Sequence, residues 1–249
     1  MDLSALRRQV QAIERQGRGV LLPIAPLAHA LPGGGLSAGL CELQPENGWS
    51  PALGFGLGLA ASLLAVRPGP LIWVVAPGAA AEAGLPYAPG LAGFGIAPER
   101  LLLVRPACLQ DALWALEQAA GCAGAGVVLA ALPGAAEIGL TPGRRLHRAA
   151  ERAGLCLVAA RLSSGPPIAA AGLRLRVGGR PSVPPDWAAG PALPPPGAPV
   201  WSVQVERARG GPPSSVCLVE WDHATHRLRR PAGLVARPAP AVGGARSAA

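Results

Sequence analysis

The sequence predicts an α/β fold in which a mainly parallel sheet is flanked by helices, and three observations carry that expectation. Apolar runs of strand length recur between segments that can form helices. Those runs are apolar at nearly every position, as strands buried on both faces require. The longest helical segment, residues 51–66, is apolar along its whole length and reads as a buried helix. A chain of 249 residues, half of them apolar, is long enough for one sizeable core.

The elements follow in order. Leu3, Leu6, Val10 and Ile13 recur at 3–4–3 spacing, so residues 2–16 should form a short amphipathic helix. Its seam can fold back on its own domain or dock on another chain. The second is favoured, because the segment is terminal and Gly17-Arg18-Gly19 makes it separable; residues 1–19 therefore form a unit of their own. A glycine turn at residues 33–35 leads into a strand at 40–43. Ser50 is a good N-cap with Pro51 at the first helical position, and Arg67-Pro68-Gly69 stops that helix. Gly54 and Gly58 allow it to approach the sheet closely. Strands at 71–75, 101–104, 127–130 and 155–158 alternate with helices near 88–94, at 109–120 and at 142–153. Residues 181–200 hold eight prolines and cannot pair inside a sheet; they form a linker or an ordered proline-rich excursion. Strands at 201–205 and 216–220 then bracket Arg209-Gly210-Gly211-Pro212, the signature of a hairpin. The core is expected to span residues 20–222, and residues 223–249, rich in Arg, Pro, Ala and Gly, should be a disordered basic tail.

Composition excludes several functions. The first 16 residues carry charges at Asp2, Arg7, Arg8, Glu14 and Arg15, unlike a secretory signal, and no apolar stretch reaches the roughly 20 residues a bilayer needs. A cytoplasmic protein without membrane contact is expected. Cys41, Cys108, Cys122, Cys156 and Cys217 are odd in number and set among apolar neighbours, which predicts buried thiols and no disulfide framework. His223 and His226 lack the ligands that would complete a metal site. His29 and His147 stand in unrelated contexts without a nucleophile motif, so no catalytic residue and no cofactor are assigned. The net charge of +8 arises wholly after residue 100, where a basic surface could face nucleic acid or an acidic protein.

The strongest local signal lies at residues 31–60. A glycine turn, a short strand, Gln44-Pro45-Glu46-Asn47-Gly48-Trp49-Ser50-Pro51 and a helix follow one another, an order that resembles the core entry of the RecA family. Pro45-Glu46 matches a dipeptide frequent in that family's phosphate loop. Trp49 then stands at the close-approach glycine, Ser50 at the lysine, and Pro51 at the magnesium-binding hydroxyl. All 22 basic side chains of the chain are arginine, so no lysine can reach the β- and γ-phosphates. The aspartate expected after residues 127–130 is replaced by Ala131-Leu132-Pro133-Gly134. The phosphate loop is degenerate, and the resemblance predicts a RecA-like fold that neither binds nor hydrolyses ATP.

Taken together, the LPGGGL turn, the lysine-free loop, Tyr87-Ala88-Pro89-Gly90-Leu91-Ala92-Gly93-Phe94-Gly95-Ile96, Arg100-Leu101-Leu102-Leu103-Val104-Arg105, Asp111-Ala112-Leu113-Trp114-Ala115-Leu116-Glu117 and Val219-Glu220-Trp221-Asp222 resemble the ImuA family of RecA-like accessory proteins of bacterial mutagenesis cassettes. The resemblance implies a partner of ImuB, a catalytically dead polymerase relative, and through it of an error-prone C-family polymerase, induced by DNA damage. RecA itself is a further partner, and direct DNA binding is left open. The rival readings are a DNA-dependent recombinase-type ATPase, which the missing Lys, Ser/Thr and Asp oppose, and a cell-division inhibitor like SulA.

Candidate contact residues complete the reading. Arg144, Arg148 and Arg152, with Arg145 alongside, make one basic stripe on a helix, either a solvated face or a site for an acidic partner or phosphate backbone. Arg207 and Arg209 stand after a strand, where RecA-like proteins carry basic residues at a subunit interface. Arg227, Arg229 and Arg230 form the densest cluster of the tail. Trp73 and Trp201 should be core and Trp114 should pack inward, while Trp49 either plugs the vanished nucleotide pocket or anchors a partner.

Overall fold

The computed structural model describes residues 20–184, 197–209, 211 and 213–231. The N-terminal seam (Leu3, Leu6, Val10, Ile13) lies outside them. Strands β1 (Val20–Pro23) and β2 (Gly35–Ser37) pair antiparallel in a small ribbon. Between them the chain turns through Pro32–Gly34, where Gly33 and Gly34 take φ of 68° and 83°, the left-handed region that glycine enters without strain.

Nine further strands among the described residues make one sheet. They are β3 (Gly39–Pro45), β4 (Leu71–Val75), β5 (Leu101–Val104), β6 (Val127–Leu132), β7 (Cys156–Arg161), β8 (Leu173–Arg180), β9 (Val200–Ala208), β10 (Cys217–Asp222) and β11 (Arg227–Arg229), in the order β11-β10-β9-β8-β3-β7-β6-β4-β5. From β5 to β8 every pairing is parallel; β9, β10 and β11 continue antiparallel. The helices are α1 (Ser50–Val66), α2 (Ala79–Ala83), α3 (Ala88–Ala92), α4 (Leu109–Ala120) and α5 (Leu140–Arg152). This is the RecA-like α/β architecture that the sequence predicts.

Alternation of side chains divides the apolar strands between two cores. Leu71, Trp73 and Val75 of β4 and Leu129 and Ala131 of β6 face α1, as do Val158 and Ala160 of β7. Ile72, Val74, Val128, Ala130, Leu157 and Ala159 face Leu116 of α4 and Leu146 and Ala150 of α5. Each strand is therefore apolar on both faces because each face is covered. α1 has few polar positions because the sheet curls round it. A Cβ on Gly56 would sit 3.2 Å from Leu43, and one on Gly58 would sit 3.3 Å from both Trp221 and Leu228. Trp201 meets Phe55 of α1 edge-on at 5.6 Å. Gly58 thus allows the close approach expected of it, and Gly56 does the same, whereas a Cβ on Gly54 would make only ordinary contact with Trp201 at 3.5 Å.

Several expectations need correction. The folded chain continues past Asp222: residues 227–229 form β11, paired with β10, where a disordered tail was expected to begin. The reversal is secured by Asp222, whose Oδ1 accepts the Ala224 N–H at 2.9 Å, and by His226 at φ 50°, stacked on Trp221. β8 lies inside what reads from sequence as an unassigned stretch. α1 begins at Ser50 itself, with Trp49 in the N-cap place and no side-chain cap. Trp114 points outward, 64% exposed, because the inward face of α4 is taken by Ala112, Leu116, Ala119 and Ala120. Cys108 and Cys122 are exposed, whereas Cys41, Cys156 and Cys217 are buried. The proline-rich excursion connects β8 to β9, and its base is closed by the Gly197 N–H donating to Ser182 Oγ at 3.0 Å; residues 185–196 lie outside the described residues. Among the described residues no helix is long and apolar enough to cross a membrane.

Candidate functional site

In an open parallel sheet, ligands bind beyond the carboxyl ends of the strands, where successive connections leave a strand in opposite directions. Here that place is the carboxyl end of β3. The chain leaves β3 through α1 toward β4 on one side, while the connection leaving its neighbour β7 runs to β8 on the other. The residues at that place are Pro45 to Pro51.

Pro45 is buried, and the Glu46 N–H donates to Val177 O at 2.8 Å, so the β3–β8 pairing runs on into the loop. Glu46, Asn47, Gly48 and Ser50 are exposed. The Glu46 carboxylate does not reach over the helix end. It lies across β8 and β9, taking Arg180 Nη2 at 2.9 Å and the Ser202 hydroxyl at 3.3 Å, above a Gly178 whose absent Cβ makes room for it. Both members of this ion pair are partly exposed, so the pair contributes about 0–1 kcal/mol and serves mainly to orient the loop. Trp49 is half-buried and packs against the α1-side core, and its carbonyl accepts the Leu53 N–H at 3.2 Å.

β6 ends in Leu132, followed by Pro133 and Gly134, and Gly134 packs directly on Ser163 and Gly165. The loop after β7 is tied to the phosphate-loop strand by Ser164 Oγ–H donating to Pro45 O at 3.2 Å. Among the described residues no group of His, Cys, Asp and Glu could hold a metal ion.

Behind the loop lies a buried polar cluster that was not singled out from sequence. Glu42, in the middle of β3, has no exposed surface and accepts Arg174 Nε at 2.8 Å, the Ile168 N–H at 3.1 Å and Gln44 Nε2 at 2.9 Å. Arg161, the last residue of β7, is equally buried. Its Nη2 donates to Gly134 O and Ala136 O at 2.8 Å each and to Pro166 O at 3.2 Å. Its Nε and Nη1 have no hydrogen-bond partner among the described residues. Burial lowers the affinity of the guanidinium for its proton, and the nearby Glu42 charge works against that. Arg161 therefore staples the loops after β6 and β7 together. The available signal was a charged residue interrupting an apolar run, in Leu40-Cys41-Glu42-Leu43 and in Val158-Ala159-Ala160-Arg161.

The arginines singled out from sequence are dispersed. Arg144, Arg148 and Arg152 are exposed along α5, and none of them meets a carboxylate among the described residues, while Arg145 pairs with Glu117 at 2.7 Å. Arg207 lies within β9 rather than after it and donates to Ala169 O at 2.7 Å. Arg209 follows β9, with its Nη1 3.3 Å from His147 Nε2 and 3.7 Å from Glu151. Because β9 runs against β8, both sit at the opposite edge of the sheet from the loop. Arg227 and Arg229 are in β11, where Arg229 faces Glu220 at 3.1 Å, and Arg230 follows. Two stretches far apart in sequence do meet: Trp221 Nε1–H donates to Gly93 O at 3.3 Å, and its ring packs 5.1 Å from Phe94.

No protein-family model matches the chain. Two curated relatives do, each named Protein ImuA and each from Caulobacter vibrioides, one from strain NA1000 and one from strain CB 15. Both are 35% identical to this chain over 220 residues, which is 80% of this chain and 82% of the relative.

Proposed function

The chain belongs to the ImuA family, and from that premise we propose that it is a non-catalytic adaptor in damage-induced, error-prone translesion DNA synthesis. In this reading a RecA-like scaffold in the cytoplasm works by presenting protein-binding surfaces and has no use for nucleotide. The observation that supports it most is the turn from β3 into α1, which holds no lysine and no aspartate and whose Trp49 packs on the core. A helix N-terminus offers an anion ~0.3–1 kcal/mol, whereas micromolar affinity needs about 8 kcal/mol, and nothing else at the site could supply the difference. Trp49 packs half-buried on the core, Pro51 has neither hydroxyl nor amide hydrogen, and the Glu46 carboxylate would repel a phosphate.

The partner in this proposal is an ImuB-like polymerase-related protein, with an error-prone C-family polymerase reached through it and RecA as a second partner. The α5 stripe of Arg144, Arg148 and Arg152 and the β11 cluster of Arg227, Arg229 and Arg230 are the surfaces assigned to acidic faces of these partners. Binding should be measured against the ImuB-like protein, against RecA and against a septum protein over a range of salt. The ImuB-like protein should bind, and the Arg144→Ala, Arg148→Ala, Arg152→Ala triple variant should weaken that binding and flatten its salt dependence. Binding to the septum protein alone, or hydrolysis of ATP on single-stranded DNA, would overturn the reading.

A further inference from the structure

At the amino edge of the sheet, opposite the degenerate loop, the fold leaves a cleft of about 160 Å³. Leu31, Leu40, Leu173 and Ala208 give it an apolar floor, and His147 and Arg209 stand at its polar side. It is a built feature. Gly39, at φ 119°, starts β3 with no side chain because His147 fills the space where a Cβ would be. The His147 ring is oriented by the Leu40 N–H, which donates to Nδ1 at 3.0 Å, so that Nε2 carries the proton toward Glu151 Oε1 at 3.2 Å. The volume is close to that of an apolar protein cavity able to accept a benzene ring, enough for one large aliphatic side chain.

The chain itself supplies the complement. Its described part begins at Val20, which is paired with Ser37, and Ser37 lines the cleft. The preceding segment therefore ends beside the opening. It carries the seam Leu3, Leu6, Val10 and Ile13, whose apolar face needs a surface to cover. From Val20 back to Ile13 is seven residues, a reach of at most about 25 Å, so the seam can return to the cleft without strain. We infer that the N-terminal segment docks on the cleft of its own chain, inserting one apolar side chain of the seam between Leu31 and Leu173 and covering the amino edge of β3. This selects the first of the two uses that the seam allows, folding back over docking on another chain. It stands independently of the adaptor reading.

The test places a photo-crosslinking benzoylphenylalanine at Val10 in the full chain and irradiates an equal mixture of isotope-labelled and unlabelled protein at about 10 µM. A short flexible tether sets an effective concentration in the millimolar range, so products within one chain should exceed products between chains about a hundredfold. They should map to residues 31–41, 172–173 and 208–209. The Leu6→Asp, Ile13→Asp double variant should lose those products while its core melts at an unchanged temperature. Mixed-isotope products that grow with concentration would instead assign the cleft to a second copy. Products elsewhere on the chain, or products unaffected by the double variant, would equally overturn the inference.

Discussion

Glu42, fully buried, holds three donors, and removing it would leave the part-buried Arg174 guanidinium without its carboxylate. The Glu42→Ala variant should lose about 3–5 kcal/mol in denaturant unfolding, the range for breaking one side of a buried pair. Loss of less than about 1 kcal/mol would show that the cluster is not holding the loops. The thiols give a second test at this scale. Burial pushes the Cys156 thiol up to about 12 and raises Cys41 well above its ordinary value. Because the folded state keeps both neutral, their contribution is complete below the unfolded pKa of about 8.5 and is lost as pH rises toward the folded values. Thermal stability should therefore decline between about pH 8.5 and 11, and Cys156→Ala should flatten that decline. At pH 8 a thiol reagent should modify Cys108 and Cys122 at once and the other three only on unfolding. Residue by residue, the loop substitutions at Trp49, Ser50 and Pro51 were legible because a motif has fixed places. The outward turn of Trp114 was not, because helical position alone does not say that Ala112 and Leu116 take the inner face.

Among the elements, α1 depends most on the absence of side chains. Gly58→Val should cost about 1–3 kcal/mol by overpacking, since its Cβ would already press Trp221 and Leu228 at 3.3 Å. Truncating the three exposed arginines of α5 should change stability by no more than about 0.5 kcal/mol, whatever it does to binding. Comparing the two by chemical denaturation separates a packing helix from a presenting one. The fully buried strands β4, β6 and β7 were legible from apolar runs alone, and so was the edge strand β5, although its Leu102 is exposed. β8 was missed because Leu173, Leu175 and Val177 alternate with Arg174, Arg176 and Gly178, the period of a strand with one solvated face. β11 was missed for a related reason. Arg227-Leu228-Arg229 offers one apolar residue, and only the curl of the sheet, which brings Leu228 against Gly58, makes that residue worth ordering.

For the whole molecule, the parallel half of the sheet and the antiparallel extension close round α1, so that Phe94 after α3 meets Trp221 of β10. The two edges of the sheet then have different characters. The carboxyl edge carries the half-buried Trp49, Glu46 tied to Arg180, and loops stapled through Arg161. The amino edge carries the open cleft and Arg209. The fold class could be read from the chain, because strand length is a local property. The cleft and the Glu42–Arg161 cluster could not, because each is assembled from segments more than 100 residues apart. The central claim is that this fold acts without nucleotide, and isothermal titration of ATP with magnesium into the purified protein tests it most directly. The account predicts no binding heat and no hydrolysis up to millimolar ATP; a saturable isotherm with a micromolar dissociation constant would contradict it.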